Sequence, residues 1–167
     1  MPPSIFGGLY MTKLYNKLYR SPIGLIDIQG TDERITSILF IEEQEADDCG
    51  DECPLVLEEC EKQLDEYFKG KRRTFTFPYQ LDGTLFQKKV WEALTGVSYA
   101  KTSTYKDIAV TIGNEKAVRG VGSANGRNRL SIVVPCHRII GSNGKLTGYA
   151  GGLWRKEWLL RHERGLI

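Results

Sequence analysis

"TYKDIAVTIGNEKAVRGVGSANG", residues 104–126, is the stretch on which the fold turns. Thr104 followed three positions later by Asp107 fits a capping box, in which a hydroxyl and a carboxylate each satisfy an amide at a helix start. The helix it opens, "YKDIAVTI", is closed by Gly113, a residue type suited to a left-handed helix stop. After the short "GNE", a second helix reads through "KAVRGVGSANG", with Ala117, Val118, Val121 and Ala124 on one side. Two short helices joined by a tight glycine-containing turn form a helix-turn-helix pattern, one that ordinary helical hairpins share. The second helix carries Gly120, Gly122, Ser123 and Ala124. An interior glycine costs up to about 1 kcal/mol, so the close approach of another backbone is expected there, from a packed helix or from nucleic acid.

Working outward, Thr84 and Gln87 form another capping box ahead of an apolar face of Phe86, Val90, Trp91 and Leu94. Downstream, "LSIVV" reads as a short buried strand or extended segment leading into "VVPCHRII" (133–140). "GSNGKLTGYAGG" is a glycine-rich loop with an Asn143-Gly144 turn signal. The last helix, "LWRKEWLLRHE", places Trp154 and Trp158 one turn apart.

The first half has a different pattern. "GLIDIQGTDERITSILFIEE" predicts two strands with a turn at Gly30 to Asp32. "DECPLVLEECEKQLDEYFKGK" predicts a helix: Leu57, Cys60, Leu64 and Phe68 fall on one stripe, and Gly70 suits its cap. "RRTFTF" reads as a further strand ended by Pro78, and "PYQLDGT" as a linker. The expectation is an α+β chain with a small α+β domain over 1–80 and a mostly helical domain over 84–167. Residues 1–10 read as a loose extension or an upstream start before Met11.

The 167 residues are 41% hydrophobic and 26% charged, ordinary for a globular chain. No apolar run approaches the roughly 18 to 20 residues of a membrane span, and the first residues lack the basic and apolar blocks of a secretory signal. Residues 1–83 carry nine Lys and Arg against sixteen Asp and Glu, a net of −7; residues 84–167 carry fourteen against five, a net of +9. A basic second half suits a polyanion, or simply a solvated surface. Free thiols are expected for Cys49, Cys53, Cys60 and Cys136. The acidic "CGDECPLVLEEC" cluster lacks standard zinc spacing, so no metal is expected.

Cys136 stands directly before His137. A thiol is mostly protonated at neutral pH and needs a base or cation to act as a nucleophile. Adjacent side chains in an extended segment point to opposite faces, so a bridging water is one route between the two. Glu163 in "RHERG" offers an acceptor to orient the base. By themselves these residues also fit an inert buried cysteine.

"VPCHRII" resembles the active-site signature of the methylated-DNA–protein-cysteine methyltransferases, the 6-O-alkylguanine-DNA alkyltransferases. "LFQKKVWEAL", "TYKDIA", "GNEKAVRGVGSANGRN" and "GYAGGLWRKEWLLRHE" resemble further blocks of that family in order and spacing, covering residues 84–163. Residues 20–80 are similar only in general character. The resemblance implies a ribonuclease-H-like first domain and a winged-helix-like second domain. It implies that Cys136 accepts the alkyl group in a single irreversible turnover, His137 is its water-mediated base, Glu163 orients His137, and Asn128 ties the cysteine turn to the helix-turn-helix. Tyr105 would bond the ring of a flipped guanine and Arg119 would fill the space it leaves in the duplex. Lys106, Asn114 and Ser142 would contact the DNA backbone. Ile139, Gly148, Tyr149 and Ala150 would line the pocket.

The match has departures. Arg129, Leu130 and Ser131 stand where the family often has prolines, Gly148 where some members have asparagine, and Ala150 where some have serine. Ala150 leaves only a backbone N–H to meet the guanine 6-oxygen, which bears on alkyl size. The implied partner is double-stranded DNA containing alkylated guanine. No cofactor, metal or membrane is implied, and a monomer in the cytoplasm with access to nuclear or nucleoid DNA is expected. The alternative is a DNA-binding protein that recognises or senses alkylation without turnover.

Overall fold

Three antiparallel strands, β1 (Tyr15–Ser21), β2 (Gly24–Gly30) and β3 (Ile35–Ile41), form a meander with β2 in the centre. The computed structural model describes residues 12–43 and 47–167; the expectation for residues 1–10 lies outside them. β2 and β3 are the two strands predicted from "GLIDIQGTDERITSILFIEE". β1 escaped notice because only Tyr19 on it is buried, so it carries little apolar alternation. Ile26 and Ile28 of β2 are fully buried beneath helix α1 (Leu55–Phe68), whose stripe of Leu57, Cys60, Leu64 and Phe68 is buried as the spacing predicts. Pro54 precedes the helix. Gly70, at φ 74°, ends it: its N–H donates to the Tyr67 carbonyl and that of Lys71 to Glu66.

"RRTFTF" does not form the predicted strand. Gln63 of α1 takes over the role of a neighbouring strand: its Oε1 accepts the Thr76 N–H (2.9 Å) and its Nε2 donates to Thr76 Oγ1 (2.8 Å). The chain then touches the sheet at one point, where Ile35 exchanges hydrogen bonds with Pro78 and Gln80. The same edge holds the later half of the chain. Ile38 donates to the Arg129 carbonyl and accepts from Ser131, so Leu130 is pinned against β3. "LSIVV" is therefore no strand. After that single bridge it turns away through Ile132.

"CGDEC" folds back through a 3-10 turn (Gly50–Glu52) that brings the Cys49 and Cys53 Cα atoms within 5.1 Å, where they are joined as a disulfide. This corrects the expectation of free thiols at those positions; Cys60 and Cys136 are free. Among the described residues, Asp48 with this pair is the one group whose ligand atoms lie close together. The Asp48 carboxylate already accepts from the Leu18 and Gly50 N–H groups (2.8 and 2.7 Å).

Helices α2 (Leu85–Thr95), α3 (Tyr105–Thr111) and α4 (Val118–Gly126) make up the next layer. Both predicted capping boxes are present, Thr84 with Gln87 and Thr104 with Asp107. Trp91 Nε1 donates to the Ala124 carbonyl at 2.8 Å, locking α2 to α4. A Cβ at Gly120 would meet the Phe86 ring at 3.0 Å, so that glycine serves helix packing; at Gly122 it would touch the Tyr105 ring at 3.9 Å, and only at Gly126 is there open space. Val118, assigned to the apolar side, is exposed, while Val121 and Ala124 are buried. The two-residue strands β4 (Ser103–Thr104) and β5 (Ile139–Ile140) pair in parallel, and α5 (Leu153–Glu163) packs against the turn at Cys136–Arg138 that leads into β5. The result is an α+β fold.

Candidate active site

Cys136, His137 and Arg138 form one turn of 3-10 helix between Pro135 and β5. The Cys136 N–H donates to the Val134 carbonyl at 2.7 Å across Pro135 (φ −81°, ψ 61°), an inverse γ-turn. Just upstream Ile132 has φ 72°. A β-branched residue held there costs on the order of 1–3 kcal/mol and persists only where its surroundings over-determine it. Asn128 does so. Its Oδ1 accepts the Leu130 N–H at 3.0 Å, and its Nδ2 lies 3.3 Å from the Leu130 carbonyl, 2.9 Å from that of Val134 and 3.2 Å from Cys136 Sγ. One buried amide at the end of α4 thus fixes both the turn and the thiol.

His137 is fully buried. In the tautomer that donates from Nε2, it reaches Glu163 Oε2 at 2.7 Å, while its Nδ1 is buried with no protein partner. Glu163, at the end of α5, is a hub. Its Oε2 also accepts from Tyr67 Oη (2.6 Å) and Arg138 Nη2 (3.0 Å), and its Oε1 accepts from Arg138 Nε (2.8 Å) and the Ala100 N–H (3.2 Å). Burial alone would raise the Glu163 carboxyl, but the His137 and Arg138 donors hold it well below the usual carboxylate range. Burial pushes His137 down despite Glu163, so the pair rests as neutral imidazole and carboxylate. Burial also pushes the Cys136 thiol up, against the opposing pull of Asn128 and Lys156. The resting cysteine is therefore a thiol. Asn128, Lys156 and the backbone N–H of His137 favour the thiolate, but burial outweighs them.

The β4–β5 ladder sets Tyr105, directly after Thr104, across from the cysteine turn. Tyr105 Oη donates to the Thr147 carbonyl at 3.2 Å and accepts from Thr147 Oγ1 at 3.1 Å. Lys156 Nζ donates to that same carbonyl at 2.7 Å. Burial lowers the Lys156 ammonium to about 8, with the neighbouring Cys136 opposing the shift. The glycine-rich loop is thereby tied on one side to α3 and on the other to α5.

Two family models match the chain: 6-O-methylguanine DNA methyltransferase, ribonuclease-like domain, over residues 14–81, and the DNA-binding domain of the same name over residues 85–165. The chain belongs to the 6-O-methylguanine DNA methyltransferase family. It is 45% identical over 153 residues to the methylated-DNA–protein-cysteine methyltransferase of Methanosarcina acetivorans, covering 90% of this chain and 98% of that one. It is 44% identical over 159 residues to the constitutive enzyme of that name from Bacillus subtilis, covering 90% and 95%. The crystal structure of Mycobacterium tuberculosis O6-methylguanine methyltransferase superposes with a TM-score of 0.82 at 36% identity, covering 93% of this chain and 95% of that one. That organism's OGT in complex with DNA gives 0.82 at 38%, covering 91% and 94%.

The remaining positions matched to the methyltransferase family fall in three places. Lys106 on α3, Asn114 in the turn, Arg119 on α4 and Ser142 in the loop after β5 are all exposed. Gly148 and Ala150 are exposed in the glycine-rich loop, with Tyr149 half-buried between them and its hydroxyl enclosed. Ile139 lies behind the cysteine turn in β5, fully buried in the core. Sequence reasoning missed Arg138, Lys156 and Tyr67. Arg138 sits inside the "PCHR" motif and was within reach. Tyr67 lies 96 residues from Glu163 in sequence, and on its own helix it reads as an ordinary core aromatic.

Proposed function

We propose that this methyltransferase-family protein removes a methyl or small alkyl group from the 6-oxygen of guanine in double-stranded DNA and keeps it on Cys136. The observation that carries this reading is the thiol held by Asn128 at 3.2 Å beside a buried His137–Glu163 pair at 2.7 Å. A neutral His137 with a free Nδ1 lone pair is a base awaiting a proton, and one water between Sγ and Nδ1 would carry it. The sulfur then attacks the alkyl carbon in line, a C–S bond forms and the carbon–oxygen bond breaks. Guanine leaves as an anion, to which a phenol donor at a ring nitrogen gives stabilisation as charge develops. Tyr105 is that donor. On exchanging Thr147 for the base it leaves the Thr147 carbonyl still bonded to Lys156. Keeping the thiol neutral until the lesion arrives protects a reagent that works once, since a thioether has no evident route back.

A base inside a duplex must be extruded, at a cost of a few kcal/mol. In this reading α3 and α4 form a helix-turn-helix in a winged-helix-like domain (residues 84–167) that enters the minor groove, where readout is sequence-poor. The open space beside Gly126 at the end of α4 supports a close approach there. Arg119 fills the vacated stack, Lys106, Asn114 and Ser142 hold the backbone, and Ile139, Gly148, Tyr149 and Ala150 shape the pocket. Residues 1–80 form the ribonuclease-H-like domain. The protein acts as a monomer, in the compartment that holds the DNA. The test is intact-protein mass after mixing with duplex carrying 6-O-methylguanine. One methylene unit should be gained per protein molecule, with no further demethylation when lesion is in excess. Multiple turnovers, or lesion binding with no mass change, would overturn the reading.

A further inference from the structure

Tyr67 belongs to α1, in the half of the chain that contributes neither the thiol nor its base, yet its phenol donates to Glu163 Oε2 at 2.6 Å. That oxygen also receives His137, so Tyr67 and His137 share one acceptor atom. Tyr67 is fixed at both ends by consecutive residues of α5: its backbone carbonyl accepts from His162 Nε2 at 2.7 Å and its hydroxyl meets Glu163. Its ring packs edge-on to Phe68, Tyr99 and His162, and it is fully buried. Such fixation exceeds what a core aromatic needs, because burying a phenol requires only some acceptor. Here the acceptor is the one carboxylate that touches the base.

We infer that Tyr67 is a positioning residue for the transfer reaction, by which the first half of the chain sets the orientation and proton affinity of Glu163. This rests on the relay proposed above. Arg138 grips Glu163 through both oxygens and fixes its plane. Tyr67 adds a neutral donor on the oxygen facing His137, lowering that oxygen's pull on the imidazole proton. His137 is then oriented by Glu163 without being made so basic that it stays protonated in the working range. Burial and Glu163 keep the Tyr67 phenol un-ionised, so it remains a donor. The charged and titratable groups around the Glu163–His137 pair are Tyr67 on α1, Tyr99 and Arg73 from the loops, Arg138 from the cysteine turn, Tyr149 from the glycine-rich loop, and Lys156 and His162 on α5.

The test is Tyr67→Phe, which keeps the ring and removes the donor. Single-turnover transfer should slow by roughly three- to thirtyfold, and the acid limb of its pH profile should move up by about half a unit, because Glu163 then holds His137 protonated to higher pH. Tyr99→Phe, a neighbouring phenol with no bond to Glu163, should leave the limb in place. In a Glu163→Gln background, Tyr67→Phe should have no further effect on rate, since the two act as one unit. A slower rate with an unmoved limb, or effects that simply multiply in the double variant, would reduce Tyr67 to a packing residue. Wild-type protein that fails to transfer at all would overturn the reading of the reaction instead.

Discussion

Cys60 and Cys136 are both free, both buried, and both pushed by burial toward the neutral thiol. Cys60 lies on the inner stripe of α1 among Leu57, Leu64 and the sheet isoleucines, and no hydrogen-bonding side chain reaches its sulfur among the described residues. Cys136 lies on a strained turn with an asparagine amide on its sulfur, an ammonium nearby and a base–carboxylate pair behind it. Burial is common to both, so it cannot be what makes a nucleophile. The difference is a set of polar groups able to take away a proton and steady the resulting charge, and assembling them requires backbone strain at Ile132 and contacts from both halves of the chain.

If that difference is real, removing it should make Cys136 behave like a second Cys60. The largest effect is expected from Glu163→Gln, which breaks the relay while keeping its shape. Single-turnover transfer should fall by roughly ten- to a thousandfold, as for loss of a general-base system, with DNA affinity little changed. Equal rates would remove Glu163 from the chemistry. Access to the duplex is the next distinction. Arg119→Ala should slow repair of duplex DNA by about tenfold or more if the few kcal/mol of base extrusion are partly offset by that side chain. It should leave attack on free 6-O-benzylguanine nearly unchanged. A uniform loss of DNA affinity with a salt dependence flatter by about one charge would make Arg119 a phosphate contact instead.

Cys60 sharpens the comparison from the other side. Cys60→Ser buries a hydroxyl in an apolar stripe and should cost about 1–3 kcal/mol of stability, measured by denaturant unfolding, while the transfer rate of the folded protein stays the same. A reduced rate at full folding would give Cys60 a role the geometry does not. The smallest effect concerns pH. His137 has its folded pKa below the unfolded value near 6.5. Below that pH the unfolded chain binds a proton the folded chain refuses. Stability is thus intact above about pH 6.5 and is lost as pH falls. Glu163, with a depressed pKa, adds a second loss only below the ordinary carboxylate range near 4.3. The melting temperature of wild type should therefore decline between pH 7 and 5 more steeply than that of His137→Gln. Parallel curves would mean that His137 is not buried neutral.

What could be read from the sequence followed from how local each signal is. Both capping boxes, the α1 stripe and the glycine stop after α1 depend on residues within four positions of one another, and each appears as expected. "RRTFTF" looked like a strand, and "LSIVV" like a strand or extended segment, because their composition suits strands, but a helix glutamine and an asparagine amide claimed their backbone groups first. The disulfide hides in a spacing that only the 3-10 turn makes close. At the site, Cys136 and His137 stand out as neighbours. The carboxylate's other donors do not, since Tyr67 and Ala100 reach Glu163 only once the two halves are packed together.

The central claim is that surroundings, not burial, select the cysteine, and locating the transferred group tests it most directly. Wild-type protein is mixed with duplex DNA carrying one 6-O-methylguanine, unfolded, digested and mapped by mass. The methyl should lie wholly on the peptide containing Cys136, with Cys60, Cys49 and Cys53 unmodified, and Cys136→Ala should bind the same duplex without acquiring it. A methyl on Cys60 or on the Cys49–Cys53 pair, or transfer that persists in Cys136→Ala, would contradict the account.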